Sequence, residues 1–137
     1  LGVRLKQHEH NALQVAQWLA QRPEVETVRH PAFADHPGHQ QFKRDFSGSN
    51  GLFSFVLSQG SLKQVEAFIE GMQHFKMGFS WGGYESLITA TLNVQALRQA
   101  SHWPYSGPLI RLHIGLEDPE DLIADLQTAF QRFHAAI

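Results

Sequence analysis

Apolar positions recur along this chain with two periods, and the switches between them divide it into elements. In residues 5–21, Leu5, Ala12, Val15, Ala16 and Leu19 follow the spacing of one helix face, and Pro23 ends the pattern. Residues 25–30 predict a short strand closed by Pro31. Residues 32–50 are polar and broken by Pro37, Gly38 and Gly48, which predicts a loop with a helix over 39–45. Residues 52–57, Leu-Phe-Ser-Phe-Val-Leu, are apolar at nearly every position, as a central strand is. Ser61 and Gln64 then stand at capping-box spacing. Leu62, Val65, Phe68 and Ile69 supply the buried face of the helix they open, and Gly71 is placed to end it.

Residues 74–80 predict a strand that runs into Trp81-Gly82-Gly83, where the glycines permit unusual backbone angles. Residues 85–91 fit both templates, and 93–99 suggest a short helix. Residues 109–114 predict a strand. Asp118 follows as an N-cap, with Pro119 at N1 and Glu120 and Asp121 complementing the helix dipole. Leu122, Ile123, Leu126, Ala129, Phe130 and Phe133 line one face of this last helix. The order suits an α+β fold, a small and mostly antiparallel sheet with helices packed on one face.

Composition narrows the classes. The chain has 137 residues, 42% hydrophobic and 18% charged, enough for one domain with a sizeable core. A net charge of -2 gives no electrostatic pull toward nucleic acid or an anionic membrane. No apolar run approaches the ~20 residues of a spanning helix, and a cytoplasmic location is expected. Cysteine is absent, which excludes disulfides and thiolate chemistry. Leu1-Gly-Val-Arg-Leu5 opens without Met or an N-cap, straight into helical periodicity. The expectation is that residues 1–137 form a single domain that is a fragment of a larger protein.

The candidate chemistry centres on Arg111. It sits inside a core strand, where an unpaired charge is expensive to desolvate. Alternation puts Ile110, Leu112 and Ile114 on one face and Leu109, Arg111 and His113 on the other. Arg111 is therefore either half of an internal ion pair, with Glu85 or Glu117, or a fork for a ligand carboxylate or phosphate. From the residues alone the two readings are level. The Ser80-Trp-Gly-Gly-Tyr-Glu-Ser86 loop offers backbone N–H groups and a hydroxyl to an anion, although a turn with packed aromatics explains it as simply.

Other chemistries find less support. His8 and His10 are two apart on a helix and share no face. The remaining histidines are scattered and match no zinc signature. Of the four lysines, Lys6, Lys43, Lys63 and Lys76, Lys76 is the one expected to be partly buried. None stands in a setting that depresses its pKa. No nucleophile elbow, dinucleotide fingerprint or P-loop is present.

Taken together, Phe79-Ser-Trp-Gly-Gly-Tyr-Glu-Ser-Leu87 and Leu109-Ile-Arg-Leu-His-Ile-Gly-Leu-Glu-Asp118 resemble the C-terminal domain of the pyridoxal-phosphate enzymes of cysteine and methionine metabolism. Trp81 and His113 lean toward the cystathionine β-lyase branch. The resemblance extends over essentially the whole chain, Lys43-Arg-Asp-Phe46 and Gly51-Leu-Phe-Ser-Phe55 included. It implies that Arg111 grips the substrate α-carboxylate with help from Ser80 and Trp81. Phe79 departs from the tyrosine found in some β-lyases.

The resemblance also implies what this chain lacks. The Schiff-base lysine and the phosphate-binding segment belong to a large pyridoxal-phosphate domain that is absent here. No catalytic, cofactor-binding or metal-binding residue is therefore assigned within the chain. The parent would be a homotetrameric carbon–sulfur lyase of methionine biosynthesis. It would convert cystathionine to homocysteine, pyruvate and ammonia, with pyridoxal 5'-phosphate as electron sink. The chain alone is expected to be inactive. The competing reading is a free-standing α+β module that binds small carboxylates or another protein without a cofactor.

Overall fold

A computed structural model describes residues 1–98 and 100–137. The elements in order are α1 (Gly2–Ala20), β1 (Val25–Arg29), α2 (His39–Asp45), β2 (Leu52–Leu57), α3 (Leu62–Ile69), β3 (Lys76–Met77), β4 (Leu87–Thr91), α4 (Val94–Leu97), β5 (Leu109–His113) and α5 (Pro119–Ala135). One five-stranded sheet runs β1-β2-β5-β4-β3. Every pairing is antiparallel except the short parallel one between β3 and β4. This is the α+β arrangement expected from the pattern of elements. No described helix is long and apolar enough to cross a membrane.

Alternation along the central strands separates two faces. Phe53, Phe55 and Leu57 of β2, Ile88 of β4, and Ile110 and Leu112 of β5 join the core cluster with residues of α1, α3 and α5. Phe68 of α3 meets Phe130 of α5 edge-on at 4.9 Å, a geometry that adds to the burial of both rings. Helix α3 begins as its sequence requires. The Ser61 hydroxyl accepts from the Gln64 amide at 3.2 Å, and the Gln64 side chain accepts from the Ser61 amide at 3.1 Å. Such a cap is worth ~1 kcal/mol.

The opposite face carries the row Ser54, Arg111 and Thr89, aligned across β2, β5 and β4. Part of that face is covered by a small cluster of Val56, Val94 and Trp103, against which Tyr105 and Leu109 pack. The guanidinium groups of Arg29 and Arg98 lie over the Trp103 ring at 5.1 and 5.4 Å. The long helices thus line one face, and the segment holding α4 folds over part of the other.

Three local expectations change and one open reading is decided. The strand expected over 74–80 is only the two-residue β3, because the amides just before it are engaged elsewhere. Asp125 of α5 is buried, and its carboxylate accepts from the amides of Gln73 at 2.9 Å, His74 at 2.8 Å and Phe75 at 3.3 Å. Lys76 is not partly buried: it lies on the sheet edge with its side chain 72% exposed, 3.8 Å from Glu85. The ambiguous 85–91 stretch is a strand, β4, which antiparallel pairing with β5 decides. The helix expected over 93–99 is the single turn α4, and Gln99 lies outside the described residues.

Burial of histidines ties the fold to pH. His30 is fully buried, and its Nδ1 accepts from the Ala32 amide at 3.1 Å. Burial holds the pKa values of His30, His36 and His113 below the ordinary 6.5. A basic group with a depressed folded pKa takes up its proton more readily when unfolded, so its contribution to stability is complete above 6.5 and is lost as pH falls from there. The urea midpoint is therefore expected to hold from pH 7.5 to about 6.5 and to drop from there to pH 5.5. A flat midpoint over that range would contradict the neutral, buried assignment.

Candidate functional site

The site is built where β5 meets the loop between β3 and β4. Arg111 projects from the face opposite the core and is half-buried. Its Nη2 donates to the Phe79 carbonyl at 2.7 Å. Arg111 therefore reaches the residue that immediately precedes Ser80 and Trp81. Neither carboxylate considered as an ion-pair partner is paired with it. Glu85 faces Lys76, and Glu117 accepts from the Ser86 amide at 3.0 Å and the Ser86 hydroxyl at 2.9 Å. Among the described residues Arg111 has no salt bridge.

Each end of the loop is anchored by a separate contact. Ser86 is buried and relays from Glu117 to the Gly115 amide, which donates to its hydroxyl at 2.8 Å. The Leu116 amide donates to the Tyr84 carbonyl at 2.9 Å. His113, two residues beyond Arg111 on the same face, is buried and bonds the Gly83 carbonyl through Nε2 at 2.8 Å. The loop passes so close to Gly115 that a Cβ there would overlap the Tyr84 carbonyl oxygen and stand 2.8 Å from the Glu85 carbonyl carbon. Gly82 has φ +93, in the left-handed region that glycine adopts without strain.

Helix α1 braces this turn from the core side. His8 lies 2.8 Å from the Ile114 carbonyl through Nδ1, and Asn11 donates to the carbonyls of Gly115 at 3.1 Å and Glu117 at 3.2 Å. Sequence reasoning did not single out His8, Asn11, Ser86 or Glu117 for this work. A signal existed for the first two, which fall in phase with the apolar stripe Ala12, Val15 and Leu19.

The groups left free define what the site can hold. Ser80 and Trp81 are exposed, Trp81 to 56%, and their side chains make no hydrogen bond within the described residues. Arg111 uses one of its five N–H donors. The free groups are thus a guanidinium, a hydroxyl and an indole N–H, all able to donate, with no paired carboxylate beside Arg111. That donor set suits a carboxylate. It offers no amine to an aldehyde cofactor: no lysine belongs to the set, and all four are exposed. Arg111, Ser80 and Trp81 could donate to the carboxylate of a small ligand. A cavity of about 520 Å³ lined by His30, Phe42, Phe46 and Leu52 includes none of these groups.

The family described as Cys/Met metabolism PLP-dependent enzyme matches residues 1–131. The chain is 50% identical over 135 residues to the cystathionine beta-lyase of Escherichia coli (strain K12), covering 96% of this chain and 34% of that protein. It is 38% identical over 133 residues to an L-alanine/L-glutamate racemase of Wolbachia pipientis, covering 96% of this chain and 33% of that protein. Among solved structures, the cystathionine gamma synthase from Xanthomonas oryzae pv. oryzae in complex with aminoacrylate and cysteine superposes with a TM-score of 0.82. Its sequence is 34% identical, over 99% of this chain and 36% of that one. The chain thus spans about a third of the length of the curated relatives it matches.

Proposed function

The chain belongs to the Cys/Met metabolism PLP-dependent enzymes, and from that premise we propose that it forms the substrate-carboxylate-binding, C-terminal part of a cystathionine β-lyase. The observation that carries this reading is the 2.7 Å bond from Arg111 to the Phe79 carbonyl. It sets the unpaired guanidinium beside the two residues, Ser80 and Trp81, whose donors are free. A substrate carboxylate arriving there would receive charge-assisted bonds from Arg111 and neutral ones from the loop. Binding at one end fixes the amino acid so that its Cα–H bond faces the base, a contribution of orientation rather than of bond making. Pyridoxal phosphate, held by the rest of the enzyme, would supply the electron sink.

The branch assignment rests on relatives. One relative bears the name of a racemase, but identity rises from 38% there to 50% for the β-lyase, which supports the β-lyase branch. In the proposed enzyme this chain brings specificity for the α-carboxylate, and the large domain brings the lysine. Lys6, Lys43, Lys63 and Lys76 are all solvent-exposed, so none has its amine poised by burial as a Schiff-base lysine would.

The chain alone is therefore expected to be inert. Mixed with pyridoxal phosphate and cystathionine, it should release no pyruvate and develop no Schiff-base absorbance above that of free lysine. Pyruvate production by these residues alone would overturn the proposed division of labour.

A further inference from the structure

The loop that carries Ser80 and Trp81 is gripped by two side chains of one strand. Arg111 holds the Phe79 carbonyl on its near side. His113, the next residue on the same face, meets it on the far side at two points, with the Gly82 amide 3.4 Å from Nδ1 and the Gly83 carbonyl 2.8 Å from Nε2. Ser80 and Trp81 are the two residues directly after the first grip. The two bonds of His113 demand opposite roles of its ring nitrogens. Nδ1 must accept from an N–H, and Nε2 must donate to a carbonyl, so the ring is neutral with its proton on Nε2. An imidazolium would turn an N–H toward the Gly82 N–H.

We infer that His113 is a positioning residue, whose neutral, Nε2-protonated ring holds Gly82 and Gly83 so that Ser80 and Trp81 are presented to the substrate carboxylate beside Arg111. The inference deepens the proposed function and rests on it.

The surroundings fix the ring. It is 2% exposed. A Cβ at Gly51 would stand 3.0 Å from its Cε1 and 3.1 Å from its Nδ1, so the ring fills the space left by that glycine. From α1, the His8 ring faces it at 5.3 Å. The charged groups acting on it are Arg111 on its own strand and Glu117 on the turn after it. Burial is the largest influence and keeps the ring neutral. Arg111 and His8 act in the same direction, against the Gly83 bond and Glu117. As the ring charges, the Gly82 amide loses its acceptor at Nδ1 while the Gly83 carbonyl keeps its donor, so the exposed loop is released at one of its two points. Substrate affinity should therefore weaken as pH falls below the ordinary histidine range, even though the guanidinium stays charged throughout.

The experiment uses the complete pyridoxal-phosphate enzyme that carries this chain, with variants His113→Ser, His113→Asn and His113→Gln. Asn retains an acceptor near the Nδ1 position, and Gln a donor near the Nε2 position. In His113→Ser, amide exchange at residues 80–84 should accelerate about tenfold while exchange in β2 and α5 is unchanged. KM for cystathionine should rise by about tenfold, more than kcat falls, as for one lost hydrogen bond. The rise of KM on the acid side should disappear from its pH profile. Asn or Gln should restore part of the exchange protection. Wild-type exchange and an unchanged acid limb in His113→Ser would overturn the inference. If the serine variant does not fold, the same two measurements on Asn and Gln decide it. An Arg111 variant with raised KM beside a silent His113→Ser would remove this role and leave the carboxylate site standing. Silence in both would remove the site itself.

Discussion

Replacing Arg111 by lysine is expected to raise KM for cystathionine by roughly 10- to 150-fold in an enzyme that carries this chain. The figure follows from the ~1.5–3 kcal/mol of a hydrogen bond to a charged group. Lysine keeps the charge but not the planar fork. It cannot hold the Phe79 carbonyl with one arm and a carboxylate with the others. The loss therefore has two parts, a weaker contact to the ligand and a looser loop. The measurement is steady-state kinetics with cystathionine at a pH above the histidine range. A kinetically silent Arg111→Lys would leave the unpaired guanidinium without a purpose.

The second large effect is on stability. Asp125→Ala is expected to lower the unfolding free energy by about 3 kcal/mol, because three backbone amides lose one buried carboxylate. For a chain of this size that corresponds to a drop of about 10 °C in Tm. Asp125 is 6% exposed, and it fixes residues 73–75, from which the chain enters β3 and then the Phe79–Ser80 turn. Asp125→Asn should rescue little, since an amide has one acceptor oxygen where the carboxylate has two. Urea titration of both variants checks this. A change within about 0.5 kcal/mol, the range of ordinary surface substitutions, would show the turn to be self-supporting.

Asp125 also shows where sequence patterning reached and where it stopped. Helix α5 was legible from Leu122, Leu126, Ala129 and Phe133, and β2 and β5 from their apolar runs. Those residues bury because their side chains have no better option. Asp125 lies three residues from Leu122, in the same stripe, and the periodicity gives no reason for a carboxylate there. His8 and Asn11 stand in the stripe of α1 in the same way. In all three cases a polar side chain faces the core because backbone amides or carbonyls of a distant turn end there. Such partners lie 50 to 106 residues away in the chain, beyond the reach of any local pattern. A polar residue in phase with an apolar stripe is the signal that could have found them.

The candidate site was legible for a related reason. Arg111 is conspicuous because it breaks the pattern of a buried strand, and the glycines after Trp81 because they break any pattern. What alternation could not supply was their meeting. Glu117 lies closer in sequence to Arg111 than Phe79 does, yet it turns to Ser86. The length of β3 was misjudged because nothing in residues 73–75 shows that their amides are already taken. The two ion-pair partners offered by the sequence were both committed elsewhere, and only the three-dimensional arrangement reveals that.

If Arg111 recognises the α-carboxylate of the substrate, its loss should be felt only by ligands that carry that group. Inhibition constants of cystathionine-like ligands with and without that carboxylate, measured on wild-type enzyme and on Arg111→Met, test it most directly. The carboxylate ligand should lose about 10-fold or more on Arg111→Met, while the carboxylate-free amine should bind both proteins equally. Equal losses for the two ligands would contradict it, because Arg111 would then be acting on something other than the carboxylate.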